Sequence, residues 1–519
     1  MSANADNVTS QGGFFGHPKG LSTLFFTEMW ERFSFYGLRP LLVLFMAAAV
    51  MQGGWGWDRG EASAIVGIYA ACVYLASLPG GWIADKWLGL RKAVLYGGGL
   101  ISLGHMTIGA SAFLDSKVPF FLGLIFIVLG TGLLKPNISA MVGDLYPEGG
   151  ARKDAGFSIF YMGINLGAFI GQLITGFLGE KIGWHWGFTA AGLAMIIGLV
   201  QFWLMSAKTL GDIGSEPTKH PDPVVQAKQE STVKLATGVG LAIIAIVFIL
   251  VAAGVIVVNA QVVGTYLAYV LVSIGFVYFA YLLLLGGLDS GEKKRILVIG
   301  VLFIFAAIFW SAFEQTPTAL NLFAQDFTDR NIGGFEMPAT WFQSVNSAWI
   351  ILLAPVIAAI WTSLGRRNIN LSSPVKFAIG LSVTTLAFVI MIFAANIVVS
   401  GSGVRVSPFW LITFYLFLTL GELFVSPVGL SSMTTLSPKR YVGQMMGIWF
   451  LASSVGNLIG GLVGGEVDPD NLAAMPRLFT TTTLFLGGAA LVLFLLSIPI
   501  SRMMRNREGA KVDDPIEEV

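Results

Sequence analysis

Residues 20–50 read Gly20-Leu-Ser-Thr-Leu-Phe-Phe-Thr-Glu28-Met-Trp-Glu31-Arg32-Phe-Ser-Phe-Tyr36-Gly-Leu-Arg39-Pro40-Leu-Leu-Val-Leu-Phe-Met-Ala-Ala-Ala-Val50. The run has the length and apolar ends of a membrane-spanning helix, which needs roughly 20 mostly apolar residues. Yet it carries four charges, each costing about 2.5–3.5 kcal/mol at a bilayer centre. Glu28, Glu31, Arg32, Tyr36 and Arg39 are separated by three- and four-residue steps, which put them along one helix face. Lipid cannot solvate such a stripe, so the face looks into a bundle of other helices. A Glu28–Arg32 pair used only for packing would leave three more polar groups without a purpose.

The rest of the chain supplies that bundle. Of 519 residues 55% are hydrophobic and 12% charged, against about 25% charged in soluble domains. Sixty-three glycines suit helices packed closely in lipid. Lys+Arg 31 against Asp+Glu 30 leaves no basic excess for a nucleic acid, and the single cysteine, Cys72, excludes a disulfide scaffold. Spans without Asp, Glu, Lys or Arg cover 62–84, 93–114, 155–179, 182–207, 341–365, 377–404, 441–465 and 478–501. The run 235–288 is twice too long for one span and breaks at Asn259-Ala-Gln261, giving helices 235–258 and 265–286. Four further spans, 20–50, 119–143, 296–325 and 406–431, contain charges, for 14 helices in all.

No basic leader with a cleavage site precedes the first span, so it is expected to stay as an internal anchor. With the N-terminus inside, cytoplasmic segments hold 22 basic residues and outer loops 6, so both termini should be cytoplasmic. A weak repeat is visible. Pro136 and Pro147 are spaced like Pro427 and Pro438, and Gly167-Ala-Phe-Ile-Gly171 resembles Gly456-Asn-Leu-Ile-Gly460, about 290 residues on. Two similar halves in one orientation are the mark of a transporter built from parallel repeats. The expected division is a tail, 1–19; a six-helix bundle, 20–207; a polar linker, 208–234, with two inserted helices, within 208–295; a second bundle, 296–501; and a tail, 502–519.

Seven charges fall inside the spans: Glu28, Glu31, Arg32, Arg39, Lys135, Glu314 and Glu422. They must pair with one another or face a wet cavity. Lys135 sits mid-helix beside Pro136, where the alternative to a partner is a long snorkel to the interface. Glu314 and Glu422 lie alone in apolar helices and could be protonated structural groups or face a cation. Asn165, Asn346 and Asn457 could simply bond neighbouring backbone, as Asn457 is expected to do. Tyr69, Tyr74, Trp310 and Trp449 could line a cavity or fill space. His17, His105, His185 and His220 lack metal-ligand spacing, no nucleophile–base pair stands out, and Gly97-Gly-Gly99 has no strand before it to make a phosphate cradle. Enzymatic function has no positive support.

Glu28-Met-Trp-Glu31-Arg32-Phe-Ser-Phe35-Tyr36 resembles the E-x-x-E-R-F-x-Y-Y signature of the proton-dependent oligopeptide transporter (POT/PTR) family of the major facilitator superfamily. Gly80-Gly-Trp-Ile-Ala-Asp85-Lys86-Trp-Leu-Gly89 and Phe160-Tyr161-Met-Gly-Ile-Asn165-Leu-Gly167 agree, and the resemblance runs from about 20 to 500. It implies an all-α polytopic fold of two six-helix bundles plus two inserted helices. It also implies a symporter of di- and tripeptides, working by alternating access in the cell inner membrane, functional as a monomer, with protons as coupling ion and no cofactor or metal.

Carried over by motif, Arg32, Arg39 and Lys135 would hold the peptide carboxylate, and Glu422 with Asn165 and Asn346 the amino group. Tyr36 and Tyr74 would touch the peptide backbone, and Trp310 would line a side-chain pocket. Glu28 and Glu31, paired with Arg32 and Lys135, would couple protons, and Glu314 would oppose Arg39 at the outer gate. Phe35 departs from the signature by one hydroxyl. Helix 62–84 lacks the histidine some members carry, so coupling would rest on carboxylates and Lys135. Transport of another small anion such as nitrate, or peptide sensing without transport, are the alternatives.

Overall fold

In hydrocarbon every backbone N–H and C=O needs a partner inside the protein, and helices meet that need segment by segment. The structure, a computed structural model, describes residues 12–505 apart from 115 and 368–370. Among these residues fourteen long helices follow one another. The first six are α1 (Lys19–Ala47), α2 (Arg59–Ile83), α3 (Leu90–Ala110), α4 (Val118–Asp144), α5 (Gly150–Phe177) and α6 (Trp184–Thr209). Two more, α7 (Pro223–Ala252) and α8 (Ala260–Leu285), stand between the bundles. The last six are α9 (Ser290–Phe327), α10 (Trp341–Arg366), α11 (Ser373–Ser400), α12 (Phe409–Thr435), α13 (Val442–Leu462) and α14 (Ala474–Arg505). Thirteen are apolar enough to cross a membrane by composition alone, and the fourteenth is α1, with its charged stripe.

The helices pack through close approaches that small residues allow. A Cβ on Gly104 of α3 would stand 2.5 Å from the Gly123 carbonyl oxygen of α4, and one on Gly123 as close to that of Gly104. The two glycine pairs of the internal repeat occupy equivalent seams. Gly167 and Gly171 lay α5 on the backbone of α1 at Met29 and Phe33. Gly456 and Gly460 lay α13 on α9 at Trp310 and Glu314. The fifth helix of each bundle thus rests on its first.

Fourteen successive long helices return the described chain to the face at which α1 begins. Contacts crossing between the bundles gather at the opposite face. There Gly67 and Gly461 bring α2 and α13 together, and α5 meets α10. Helix α8 leans on the α2–α13 seam, with Gly264 against Leu462 and Tyr278 donating to Gln444 from farther along the helix.

Three expectations need correction. The polar stretch 208–234 is not all linker, because Pro223 at the first turn and Asp222, whose side chain accepts from Val224 N–H, start α7 there. Helix 296–325 is broken: its first part ends at Phe313 and a wider turn over Thr316–Leu320 follows. The first span stops at Ala47, three residues short of expectation. Asn259 does mark the break in 235–288, its side chain capping α8 by accepting from Val262 N–H. Of the expected tails, 1–11 and 506–519 lie outside the described residues.

The glycine seams predict a stability contrast. Gly104→Val should cost about 1–3 kcal/mol through overpacking and lower the thermal unfolding midpoint in detergent. Gly99→Val, on the same helix where a Cβ meets nothing within 4 Å, should leave it unchanged.

Candidate functional site

The charged stripe of α1 points inward as its spacing requires: Glu28, Glu31, Arg32 and Arg39 are buried and Tyr36 half-buried. Arg32 Nε donates to Glu28 Oε1 at 2.8 Å. Glu31 Oε2 lies 2.6 Å from the same nitrogen but off the N–H direction, so it makes an ion contact and no hydrogen bond. Two carboxylates therefore share one guanidinium, and Glu28 Oε2 and both Glu31 oxygens accept no hydrogen bond. A buried charge lacking partners is costly, so this knot is one positive charge short.

Lys135 of α4 makes no ion pair among the described residues and lies within electrostatic reach of Arg32, Glu31, Glu28 and Glu314. Direct pairing with Glu28 or Glu31, expected from the sequence, is not what the structure has. Its ammonium sits over the Tyr74 ring of α2, 3.8 Å from the centroid, with Phe450 of α13 at 5.9 Å. An aromatic face attracts a cation without fixing it as a carboxylate does, so Lys135 is parked beside the knot and not tied into it.

Farther along α1, Arg39 Nη2 meets Glu314 Oε2 at 2.5 Å and donates to Asn457 Oδ1 at 3.0 Å. Glu314 caps the first part of α9, where the helix breaks and frees its side chain to face α1. The Phe35 ring lies between the two guanidinium groups, 5.5 Å from Arg32 and 5.3 Å from Arg39. A phenol is not needed to hold two cations there, only a ring face.

The second bundle presents the opposite pole. Asn346 of α10 donates to Glu422 Oε2 at 3.1 Å and to Thr419 Oγ1 at 2.9 Å. Glu422 is thus held by a neutral amide, with no ion pair among the described residues. Tyr36 lies between the poles, within electrostatic reach of Arg32, Arg39, Glu314 and Glu422. Asn165 donates to the Tyr161 carbonyl of its own helix, and the Tyr161 side chain neighbours both Asn165 and Glu422. Trp310 packs at 6.4 Å from Trp449 in a T-shaped pair. Arg32, Tyr36, Arg39, Glu314 and Glu422, singled out in the sequence, therefore lie within electrostatic reach of one another where the bundles meet.

Three neighbouring groups, Tyr161, Phe450 and Thr419, are not among the residues the sequence singles out, and Asn457 does more than its expected backbone bond. Tyr161 had a signal, standing one turn before Asn165 inside a quoted motif. Asn457 does bond backbone as expected, donating to Ser453 O at 2.8 Å, but its oxygen also serves Arg39. Phe450 and Thr419 carry no sequence mark that separates them from packing residues. Among the described residues no group of three or more His, Cys, Asp and Glu gathers where a metal ion could sit.

A family model described as the POT family matches residues 91–471. A peptide transporter of Yersinia enterocolitica is 49% identical over 505 residues, 97% of this chain and 99% of that protein. A di-/tripeptide transporter of Lactococcus lactis is 36% identical over 498 residues, 95% of this chain and 97% of that one. The crystal structure of a peptide transporter POT in complex with sulfate matches with a TM-score of 0.87 at 38% identity, covering 97% of this chain and 99% of the other.

The Phe35 sandwich gives a prediction. Phe35→Leu keeps an apolar side chain of similar size but loses two cation–π contacts, each worth about 0.5–2 kcal/mol. The unfolding midpoint should fall, while Phe35→Tyr, which keeps the ring, should fall less.

Proposed function

Since the chain belongs to the POT family, and is on that ground a membrane transporter and not an enzyme, we propose that it imports di- and tripeptides with protons by alternating access. The observation that carries this reading is the pair of opposed poles. Arg32, Arg39 and Lys135 face the space from the first bundle, and Glu422 faces it from the second with neutral donors only. Every short peptide has one carboxylate and one ammonium whatever its side chains. A cavity reading those two ends accepts many sequences and limits length.

In this mechanism the peptide carboxylate settles on Arg32, Arg39 and Lys135, and Glu422, with Asn165 and Asn346, takes the ammonium. Tyr36 and Tyr74 contact the peptide backbone, and Trp310, with Trp449, lines a side-chain pocket. Coupling follows from the charge count of the knot. A proton on Glu28 or Glu31 removes the surplus negative charge and frees Arg32 to join Lys135, which is tied to neither glutamate, on the incoming carboxylate. Loss of that proton on the far side returns Arg32 to the glutamates and expels the peptide. Glu314 opposes Arg39 and closes the mouth opposite the termini.

The basic-residue asymmetry supports a reading with that mouth outside and the termini in the cytoplasm. With the cross-bundle contacts gathered at the closed mouth, the conformation corresponds to one facing the cytoplasm. The protein then works as a monomer in the inner membrane. One pH unit supplies about 1.4 kcal/mol and 100 mV about 2.3 kcal/mol per charge, enough for accumulation of roughly several hundred-fold per proton.

The test is uptake of labelled dialanine into proteoliposomes with and without an inward proton gradient. Uphill uptake that a protonophore abolishes is expected. Glu422→Gln should cut it by about 10- to 100-fold, the worth of a charge-assisted hydrogen bond, and Lys135→Ala should abolish it. Full uptake by Glu422→Gln would point to an anion that needs only the positive pole. Binding without uptake would point to a sensor.

A further inference from the structure

Helix α5 ends at Phe177 and the chain continues through a wider turn, Leu178–Ile182, that carries Glu180. This carboxylate is buried, and the hydrogen bonds it accepts come from the other bundle. Oε2 accepts from Ala339 N–H at 2.7 Å. Oε1 accepts from Thr340 N–H at 2.9 Å and from the Thr340 hydroxyl at 2.7 Å. Arg330 Nη1, also of the second bundle, lies 3.7 Å away.

These donors stand immediately before α10, whose first residues provide no capping side chain of their own. The leading N–H groups of a helix need acceptors from elsewhere, and negative charge is favoured at that end. One bundle therefore caps a helix of the other. Little separates the two: a Cβ on Gly176 would stand 2.0 Å from Thr340 Oγ1, and Trp341 Nε1 donates to Leu173 O at 2.9 Å. Arg330 also donates to Met337 O at 2.6 Å and to Glu336 Oε1 at 3.1 Å, which fixes the segment bearing the donors. Beside Arg330 and Lys181 the Glu336 carboxyl is held below the usual carboxylate range, so it stays charged as Arg330's partner.

We propose that Glu180 is a positioning residue of the transport cycle, a latch that holds the mouth opposite the termini shut by capping α10 across the bundle boundary. The proposal rests on the alternating-access reading but not on the cargo being a peptide. Opening that mouth separates α5 from α10, and no bond between Glu180 and the start of α10 survives the separation. A polar cavity of about 340 Å³, lined in part by Glu180, Lys181, Arg330 and Glu336, adjoins the latch. Water there can take over each donor and acceptor as it is released, which keeps the latch reversible. Glu180 stands apart from the charged cavity, so it sets the balance of conformations without touching the cargo.

Glutamine is nearly isosteric but replaces one acceptor oxygen by an NH2 that faces an N–H. The test places spin labels at Met51→Cys and Ile332→Cys, exposed positions on that face in the first and second bundles, in a Cys72→Ser background. Distances are read by pulsed EPR in lipid nanodiscs without substrate. With Glu180 present the short distance should dominate. Glu180→Gln should raise the long-distance population at least tenfold, and Thr340→Val, which removes one of three bonds, should raise it less. External half-saturation for uptake should fall as the outward-competent fraction grows, a change that a merely structural role would not produce.

Unchanged distances in both variants would overturn the latch. If Glu180→Gln does not fold, Thr340→Val decides by itself. Distances that shift in a protein that carries no peptide would keep the latch and sink the proposed cargo.

Discussion

Everything in this molecule depends on how charges are kept in hydrocarbon. An ionised group in the membrane interior persists only where partners replace the water it has lost. Arg32 meets that condition for Glu28 and incompletely for Glu31. Arg39 and Glu314 meet it for each other. The bundle, the inward face of α1 and the break in α9 all serve those pairings. A buried pair of this kind contributes little net stability. In the proposed mechanism its value lies in having two states, paired and released, that a proton or a ligand can choose between.

That economy explains why the polar groups differ in the company they keep. Arg39 and Glu314 are tied across the bundle boundary, with Asn457 orienting the guanidinium. They close the structure at one face. Lys135 rests on an aromatic ring and Glu422 on the Asn346 amide, which also donates to Thr419, so neither is tied to an opposite charge among the described residues. The Arg39–Glu314 pair sits where the bundles meet, and the loosely held Lys135 and Glu422 are the charges to which the proposed mechanism assigns the cargo. Glu180 adds to the first group at the end of α5, held by backbone donors of the other bundle with Arg330 3.7 Å away.

Much of this could be read from the chain. Charge in an apolar helix is a strong signal because hydrocarbon tolerates so little of it, and each of the seven intramembrane charges proves to face the interior or a partner. The glycine repeat at Gly167–Gly171 and Gly456–Gly460 gave the correspondence between halves, since close backbone contact leaves few alternatives to glycine. What the chain concealed were relations set only by tertiary structure. Nothing in the sequence around Lys135 says that an aromatic ring would hold it and not a glutamate. The turn at Thr316–Leu320 is invisible in an apolar run that reads as one helix. Glu180 looks like an ordinary loop carboxylate until α10 is brought beside it. The start of α7 at Pro223 was hidden by polar residues that suit a helix beyond the bilayer as well as a linker.

The central claim is that the unsatisfied carboxylates beside Arg32 couple proton movement to cargo movement. It is tested most directly by separating exchange from accumulation in Glu31→Gln, in which the knot is permanently neutralised. In proteoliposomes loaded with unlabelled dialanine, counterflow of labelled dialanine should persist near the unsubstituted rate, because the cavity and its poles are intact. Accumulation driven by an inward proton gradient should be lost in the same preparation. Accumulation that survives alongside exchange would contradict the account and move the coupling proton to another group.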